Sequence, residues 1–170
     1  TENIVENNYD ALGQLAQKEV GGSGENSLQK VDYSYNVRGW LKNINQDTHN
    51  DNDLFNFTLV YDKPTSGTAL FNGNISQISW STLNTDRSSK TYSYQYDALN
   101  RIVSASGATT SNYDVSGIQY DKNGNIRTLN RNGWRNNSNF ANMDVLSYDY
   151  YTNSNQLKSV NDGGDDNYGF

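Results

Sequence analysis

The chain has 170 residues, enough for one domain or one stretch of a repeat array. Only 34% of them are apolar and 19% charged, while 27 are Asn, 13 Tyr and 3 Trp, so the chain can fold but must build its core largely from tyrosine. The lack of cysteine excludes disulfide scaffolds, thiol catalysis and Cys-based metal sites. No apolar run reaches the ~20 residues of a membrane span, and a net charge of −6 with no Lys/Arg stripe argues against nucleic-acid binding and membrane-surface docking.

Taken in order, the sequence repeats itself. YDALGQLA starts at Tyr9, YNVRGWLKNI at Tyr35, a worn ALFNGNISQI at Ala69, YDALNRIVSA at Tyr96, YDKNGNIRTL at Tyr120 and YTNSNQLKSV at Tyr151. The common pattern is Y-D-x-x-G-x-L. Its fifth position is Gly13, Gly39, Gly73, Asn100, Gly124 and Asn155, and its seventh is Leu15, Leu41, Ile75, Ile102, Ile126 and Leu157. A repeat at this period organises the whole chain, residues 1–170, as one array segment of about six hairpins.

Each copy reads as a β-hairpin. Before the turn, Tyr33 and Tyr35, Tyr94 and Tyr96, and Tyr148 and Tyr150 alternate with polar residues, the period-2 pattern of a half-buried strand. The Asp closes the turn by accepting backbone amides, and Gly or Asn enters the left-handed region that a tight connection requires. Strands are expected near 28–36, 40–45, 55–62, 74–81, 91–97, 101–106, 116–121, 125–130, 145–151 and 156–160, with long connections at 21–26, 46–53, 84–89, 107–112 and 133–142. After the turn the aliphatic residues fall three apart (Leu41/Ile44, Ile126/Leu129), which fits either a bulge or a strand buried on both faces. The expected core is Tyr33, Tyr35, Tyr94, Tyr96, Tyr120, Tyr148 and Tyr150 with the six aliphatic anchors, mostly buried against neighbouring hairpins. TENIVENNYD lacks the features of a signal peptide, and NDGGDDNYGF reads as the run-in to another copy, so the sequence is expected to be a piece of, or an ordered stretch within, a longer array.

These residues resemble the RHS/YD-repeat proteins, which include the C-components of insecticidal toxin complexes and, more distantly, teneurins. YNVRGWLKNIN, NGNISQISW, YSYQYDALNRIVSA and YDKNGNIRTL are most similar to Bacteroidetes-type RHS arrays, and the resemblance covers Tyr9 to about Val160. It implies an all-β fold in which hairpins form a spiral, shell-like antiparallel sheet around a C-terminal toxin. It also implies neighbouring repeats of a longer chain and an enclosed toxin cargo as partners, and a secreted or cell-surface location. The family's self-cleaving aspartates match no position of this sequence, so no autoproteolytic role is carried over.

The remaining polar motifs are expected to be structural, with no catalytic residue, metal or cofactor. His49 sits in the polar stretch QDTHNDNDLF without an evident nucleophile or orienting partner. Asp47/Asp51/Asp53 and Asp162/Asp165/Asp166 supply oxygen ligands, and Asp121 opens a calcium-like loop, but Ile126 stands where that loop needs Gly and Asn132 where it needs Glu. His49, Asp51 and Asp165 are expected to tolerate substitution. Asn72-Gly73, Asn123-Gly124 and Asn132-Gly133 are hairpin-turn signals. Trp40, Trp80 and Trp134 admit an alternative reading, a module that binds glycan or a receptor, with Trp134 in a loop as the candidate binding residue. A weaker alternative makes the stretch an exported passenger or partner of an outer-membrane secretion system.

Overall fold

The computed structural model describes residues 3–45, 53–83, 87–108, 110–135 and 139–169. Among them are twelve strands and a single 3-10 turn, Gly24–Asn26, so the chain is all-β. It divides into two compact units, one of Thr1–Thr65 with Ala69–Thr91, the other of Ser66–Thr68 with Tyr92–Phe170. The first holds β1 (Val5–Tyr9), β2 (Leu15–Val20), β3 (Gln29–Tyr35), β4 (Leu41–Ile44), β5 (Phe55–Val60) and β6 (Gln77–Thr82), each antiparallel to the one before it. In the second, β7 (Lys90–Tyr96, from Tyr92 on), β8 (Ile102–Gly107), β9 (Val115–Tyr120), β10 (Ile126–Arg135), β11 (Asn139–Tyr150) and β12 (Leu157–Asp162) follow the same rule.

Two stretches depart from the expected strands. β1 and β2 form the first hairpin, ahead of the first expected strand, because the short flanks of YDALG pair once its turn is closed. β10 and β11 run through most of 133–142, where a connection was expected. Asn132-Gly133 is not a turn there: the ladder shifts register between Arg131 and Asn132 and continues to Arg135↔Asn139. Gly133 leaves room for the Met143 thioether, which would have to shift for a Cβ at 2.6 Å from its sulfur.

The spacing of the aliphatic residues is explained by a bulge. Tyr9, Tyr35, Tyr96, Tyr120 and Tyr150 pair directly with Leu15, Leu41, Ile102, Ile126 and Leu157. The next pairs, such as Ser34↔Asn43 and Gln95↔Ser104, leave one residue after each anchor unopposed. That extra residue turns Leu41 and Ile44, or Ile126 and Leu129, to the same side despite their odd spacing.

The bulge also draws each hairpin away from the next. β4 and β5 share only Asn43↔Thr58 and Ile44↔Phe57. Nearer the turn they leave an open groove of about 690 Å³, bordered by Trp40, Lys42, Val60 and Tyr61. The Tyr61 hydroxyl spans the opening and donates to the Leu41 carbonyl at 2.9 Å. The same bond recurs from Tyr35 to Leu15 (3.0 Å), Tyr120 to Ile102 (2.7 Å) and Tyr150 to Ile126 (2.8 Å). In every case the tyrosine that opens one hairpin reaches the anchor carbonyl of the hairpin before it. Tyr61 is therefore the true opening residue of the third copy, with an insertion before Phe71-Asn72-Gly73, rather than Ala69. Likewise Tyr150, rather than Tyr151, opens the last.

The residue before the anchor reinforces the junction. Trp40 packs against Tyr61 with ring centroids 5.2 Å apart, and the Arg101 guanidinium lies 4.3 Å from the Tyr120 ring centre. Burial pushes the Tyr61 hydroxyl above its ordinary pKa of 10.0, which keeps it protonated as a donor.

The ladder residues are half-buried rather than buried, because the sides of their rings are covered by adjacent hairpins while the outer faces keep some contact with solvent. Ala105, Ile118 and Leu146 are the buried hydrophobic side chains among the described residues. Leu157 is exposed, being on β12, the outer strand of its unit. Full burial falls largely on polar residues with satisfied bonds. Asn45 accepts from the Asp32 amide and donates to the Phe55 carbonyl, both at 2.8 Å, tying three strands together. The Ser76 hydroxyl donates to the Val60 carbonyl at 2.8 Å.

Tyr150→Phe, which deletes only the hydroxyl, is expected to cost about 1 kcal/mol, and Tyr150→Ala about 2–4 kcal/mol. Urea denaturation measures both. Equal costs would assign the stabilisation to the hydroxyl alone, and a Phe variant as stable as the native chain would remove the hydroxyl from the account.

Candidate functional site

Two features lie outside the ladder: the row of turns and the far end of the β10–β11 hairpin. Four turns share one set of bonds. Asp10, Asn36, Asp97 and Asp121 each accept, on Oδ1, the backbone amides two and four residues on, at 2.8–3.0 Å. The residue three on then takes positive φ: Gly13 at 78°, Gly39 at 78°, Asn100 at 62° and Gly124 at 88°. Gly73 also lies at positive φ (98°), with the Trp40 ring 3.3 Å from where its Cβ would be.

The sixth turn differs. Tyr151 stands where the others have Asp or Asn, so no side-chain oxygen gathers the amides. The loop gains a residue, closing from the Tyr151 amide to the Gln156 carbonyl at 3.1 Å. Positive φ then falls on Asn153 (57°) rather than on the expected Asn155. The Asn155 side chain accepts instead from the Asn123 and Asn125 side-chain amides at 3.0 and 2.9 Å, joining two turns.

The side-chain and backbone donors of Asn125 hold the Asp121 carboxyl below its usual range, and the Arg101 backbone amide, then its guanidinium, do the same for Asp97. Both carboxyls therefore stabilise the fold above the unfolded-state pKa, and that contribution fades as pH falls through the lower folded value. Asp121→Asn keeps an acceptor oxygen, as Asn36 does naturally. It is expected to fold normally at neutral pH and to lose less stability than the native chain between pH 4 and 2, read by urea midpoints at each pH. A steeper acid loss in the variant would contradict the turn account.

At the far end, β10 and β11 run beyond the last paired residue of β9, Val115↔Arg131. This arm is flanked on one side by the Asn132 amide–Asp114 carbonyl bond (2.8 Å) and on the other by the segment from Gly163 to Gly169, whose Asp165 amide donates to the Met143 carbonyl at 2.9 Å. Trp134 pairs with Phe140, which sends both rings to one face. Tyr113 meets Phe140 edge-on at 5.2 Å, and Tyr168 meets Trp134 edge-on at 5.3 Å. The result is a row of four rings, in which Tyr113, Trp134 and Tyr168 are 58%, 45% and 42% exposed. Trp134 is thus the exposed tryptophan, on a strand rather than in a loop, whereas Trp40 and Trp80 are half-buried. Exposed aromatic faces of this kind can stack on the apolar side of a sugar ring or hold an apolar side chain.

Below the row, Arg131 pairs with Asp144, and Arg135 with Asp165 at 2.6 Å. Asp165 is only 8% exposed, and the Asn167 amide and Arg135 hold its carboxyl below the usual range. Asp165 is therefore not the surface residue expected from the sequence, because the returning segment folds over it. Asp162 accepts from the Val145 and Gly164 amides at 2.7 and 2.8 Å. His49, Asp47 and Asp51 lie outside the described residues. Among the described residues no group of three or more His, Asp or Glu is placed to hold a metal. Asp165→Ala should lower the melting temperature clearly more than Asp166→Ala, whose side chain is exposed; the reverse order would place the segment's anchor elsewhere.

No family model matches the sequence, and no curated protein does. Among solved structures, the crystal structure of TcdB2-TccC3-Cdc42 is similar over 94% of this chain, with a TM-score of 0.63 and 14% identity. The chain spans 8% of the length of that chain. The Photorhabdus luminescens Tc holotoxin pore structure, which carries a TccC3 mutation, aligns with 92% of this chain and 12% of its own at 14% identity and a TM-score of 0.37. The first likeness is one of fold: the array of β-hairpins read from the sequence also occurs in a toxin complex.

Proposed function

We propose that the chain is a structural segment of an RHS-type repeat protein, forming part of a β-shell that encloses a C-terminal toxin or effector. The observation that carries this reading is the tyrosine-to-carbonyl bond repeated at four junctions, a device that adds hairpin to hairpin and gives each unit a continuous sheet. The fold similarity to a toxin-complex structure supports it. In this reading no side chain is catalytic; the protein supplies a wall, works with its neighbouring repeats and the cargo, and acts outside the producing cell. In the intact protein that carries this segment, polypeptide following the array should resist protease until denaturant opens the sheet. Cleavage at the rate of an unfolded chain under native conditions would reject enclosure.

A second reading rests on the exposed row at the end of β10 and β11. There the segment would recognise a glycan or receptor on a target surface through Trp134 and Tyr168. Glycan-array binding that saturates and is lost in Trp134→Ala would favour it; an array without signal would leave the wall as the segment's role.

A further inference from the structure

Asn-Gly pairs occur at Asn72, Asn123 and Asn132. In such a pair the glycine nitrogen can attack the asparagine side-chain carbon, because no Cβ on the following residue blocks the approach. Attack requires that nitrogen to be released from hydrogen bonding and the backbone between the two residues to rotate.

The regular turns and the ladder oppose both. The amides of Gly13, Gly39, Asn100 and Gly124 donate to the carbonyl three residues back, at 2.9–3.2 Å. Asn123 therefore precedes a nitrogen that is already engaged, and its own amide donates to Asp121 Oδ1 at 2.8 Å. Gly133 sits in the β10–β11 ladder opposite Ala141. The Asn132 backbone amide and side chain are bonded to the Asp114 and Ser111 carbonyls, both at 2.8 Å.

The turn of the third copy is built otherwise. Leu70 stands three residues before Gly73, where the four regular turns have Asp or Asn, and its amide donates to the Tyr61 carbonyl at 2.8 Å. Among the described residues the Gly73 amide makes no hydrogen bond. Asn72 is exposed, and its Oδ1 accepts the Asn74 amide at 3.0 Å. That bond folds the side chain back along the following peptide and polarises its carbonyl, so a donor is already in place for an oxyanion on Oδ1.

We propose that Asn72 is a site of spontaneous covalent modification, converted through a succinimide to aspartate and isoaspartate, while the same dipeptide at Asn123 and Asn132 stays intact. Hydroxide from solvent removes the Gly73 amide proton, and the nitrogen forms a bond to Asn72 Cγ. The tetrahedral oxyanion collapses, the Cγ–Nδ2 bond breaks, and Nδ2 takes a proton and leaves as ammonia. Water then opens the ring. Breaking the new bond to Cγ gives aspartate; breaking the bond to the Asn72 backbone carbonyl carbon gives isoaspartate. No oxidant or reductant takes part. Either product sets a carboxylate one residue from the Phe71 carbonyl that Arg38 Nη1 holds at 2.8 Å.

The test is incubation of the native chain in heavy-oxygen water at mildly alkaline pH, followed by peptide mapping with mass spectrometry. Labelled aspartate and isoaspartate should appear at Asn72 about three- to tenfold faster than at Asn123, the factor expected from one hydrogen bond that must first be broken. Asn132 should also lag. In urea-unfolded chain the three positions should react at similar rates, since each is followed by glycine. Equal or faster reaction at Asn123 or Asn132 in the native chain would overturn the proposal. So would an Asn72 preference that persists in urea, because the order would then come from local sequence rather than from the worn turn.

Discussion

A bulged hairpin cannot pair along its full length with the next one, and in this protein the tyrosine hydroxyl closes the resulting gap. At Leu15, Leu41, Ile102 and Ile126 the anchor carbonyl accepts a hydrogen bond from the opening tyrosine of the following hairpin. A phenol suits this position because its ring fills the space left by the splayed strands while its tip satisfies a backbone group. Leucine would fill the space and leave the carbonyl unpaired; serine would do the opposite. The repeat's recurrent features follow from this requirement: Tyr to reach back, Asp or Asn to fold most of the turns, a left-handed Gly or Asn, and an aliphatic anchor beside the bulge.

The low apolar content is intelligible on the same terms. The chain replaces a thick hydrophobic core with half-buried rings and many satisfied polar side chains. Asn45 joins three strands, Asn155 joins two turns, and Asn132 donates to the Ser111 carbonyl at 2.8 Å. An amide side chain can donate and accept at once and carries no charge to desolvate, which makes asparagine an efficient connector between backbones. That is the physical sense of 27 asparagines in 170 residues.

Much of this was legible in the sequence because it is local. Strand alternation, the Asp-x-x-Gly turn and the three-residue spacing all lie within ten residues of each other, and five of the six turn positions have the expected φ. What escaped depends on partners far along the chain. Tyr61 and Asp62 carry the Y-D opening of the pattern, but the insertion before Phe71-Asn72-Gly73 separates them from the rest of the copy, and their equivalence shows only in the bond to the Leu41 carbonyl 20 residues earlier. Asn132-Gly133 has the composition of a turn, but the ladder passes through it to Arg135↔Asn139 and the strand continues. Asp165 sits in an acidic, glycine-rich stretch that reads as surface until the segment folds back onto Arg135. The aromatic row has the same origin: Tyr113, Phe140, Trp134 and Tyr168 are scattered in sequence and meet only through the β10–β11 pairing.

Of the four junctions that carry the tyrosine bond, that between β8 and β9 has the shortest ladder among the described residues, Ala105↔Val115, and is expected to depend most on its tyrosine. Native-state hydrogen exchange on Tyr120→Phe beside the native chain therefore tests the account most directly. The account requires amides of β8 and β9 that face each other to lose protection, while those inside the β10–β11 hairpin keep theirs. Unchanged protection at β8 and β9, or a uniform loss across all strands, would contradict the claim that the hydroxyl bond is what holds one hairpin to the next.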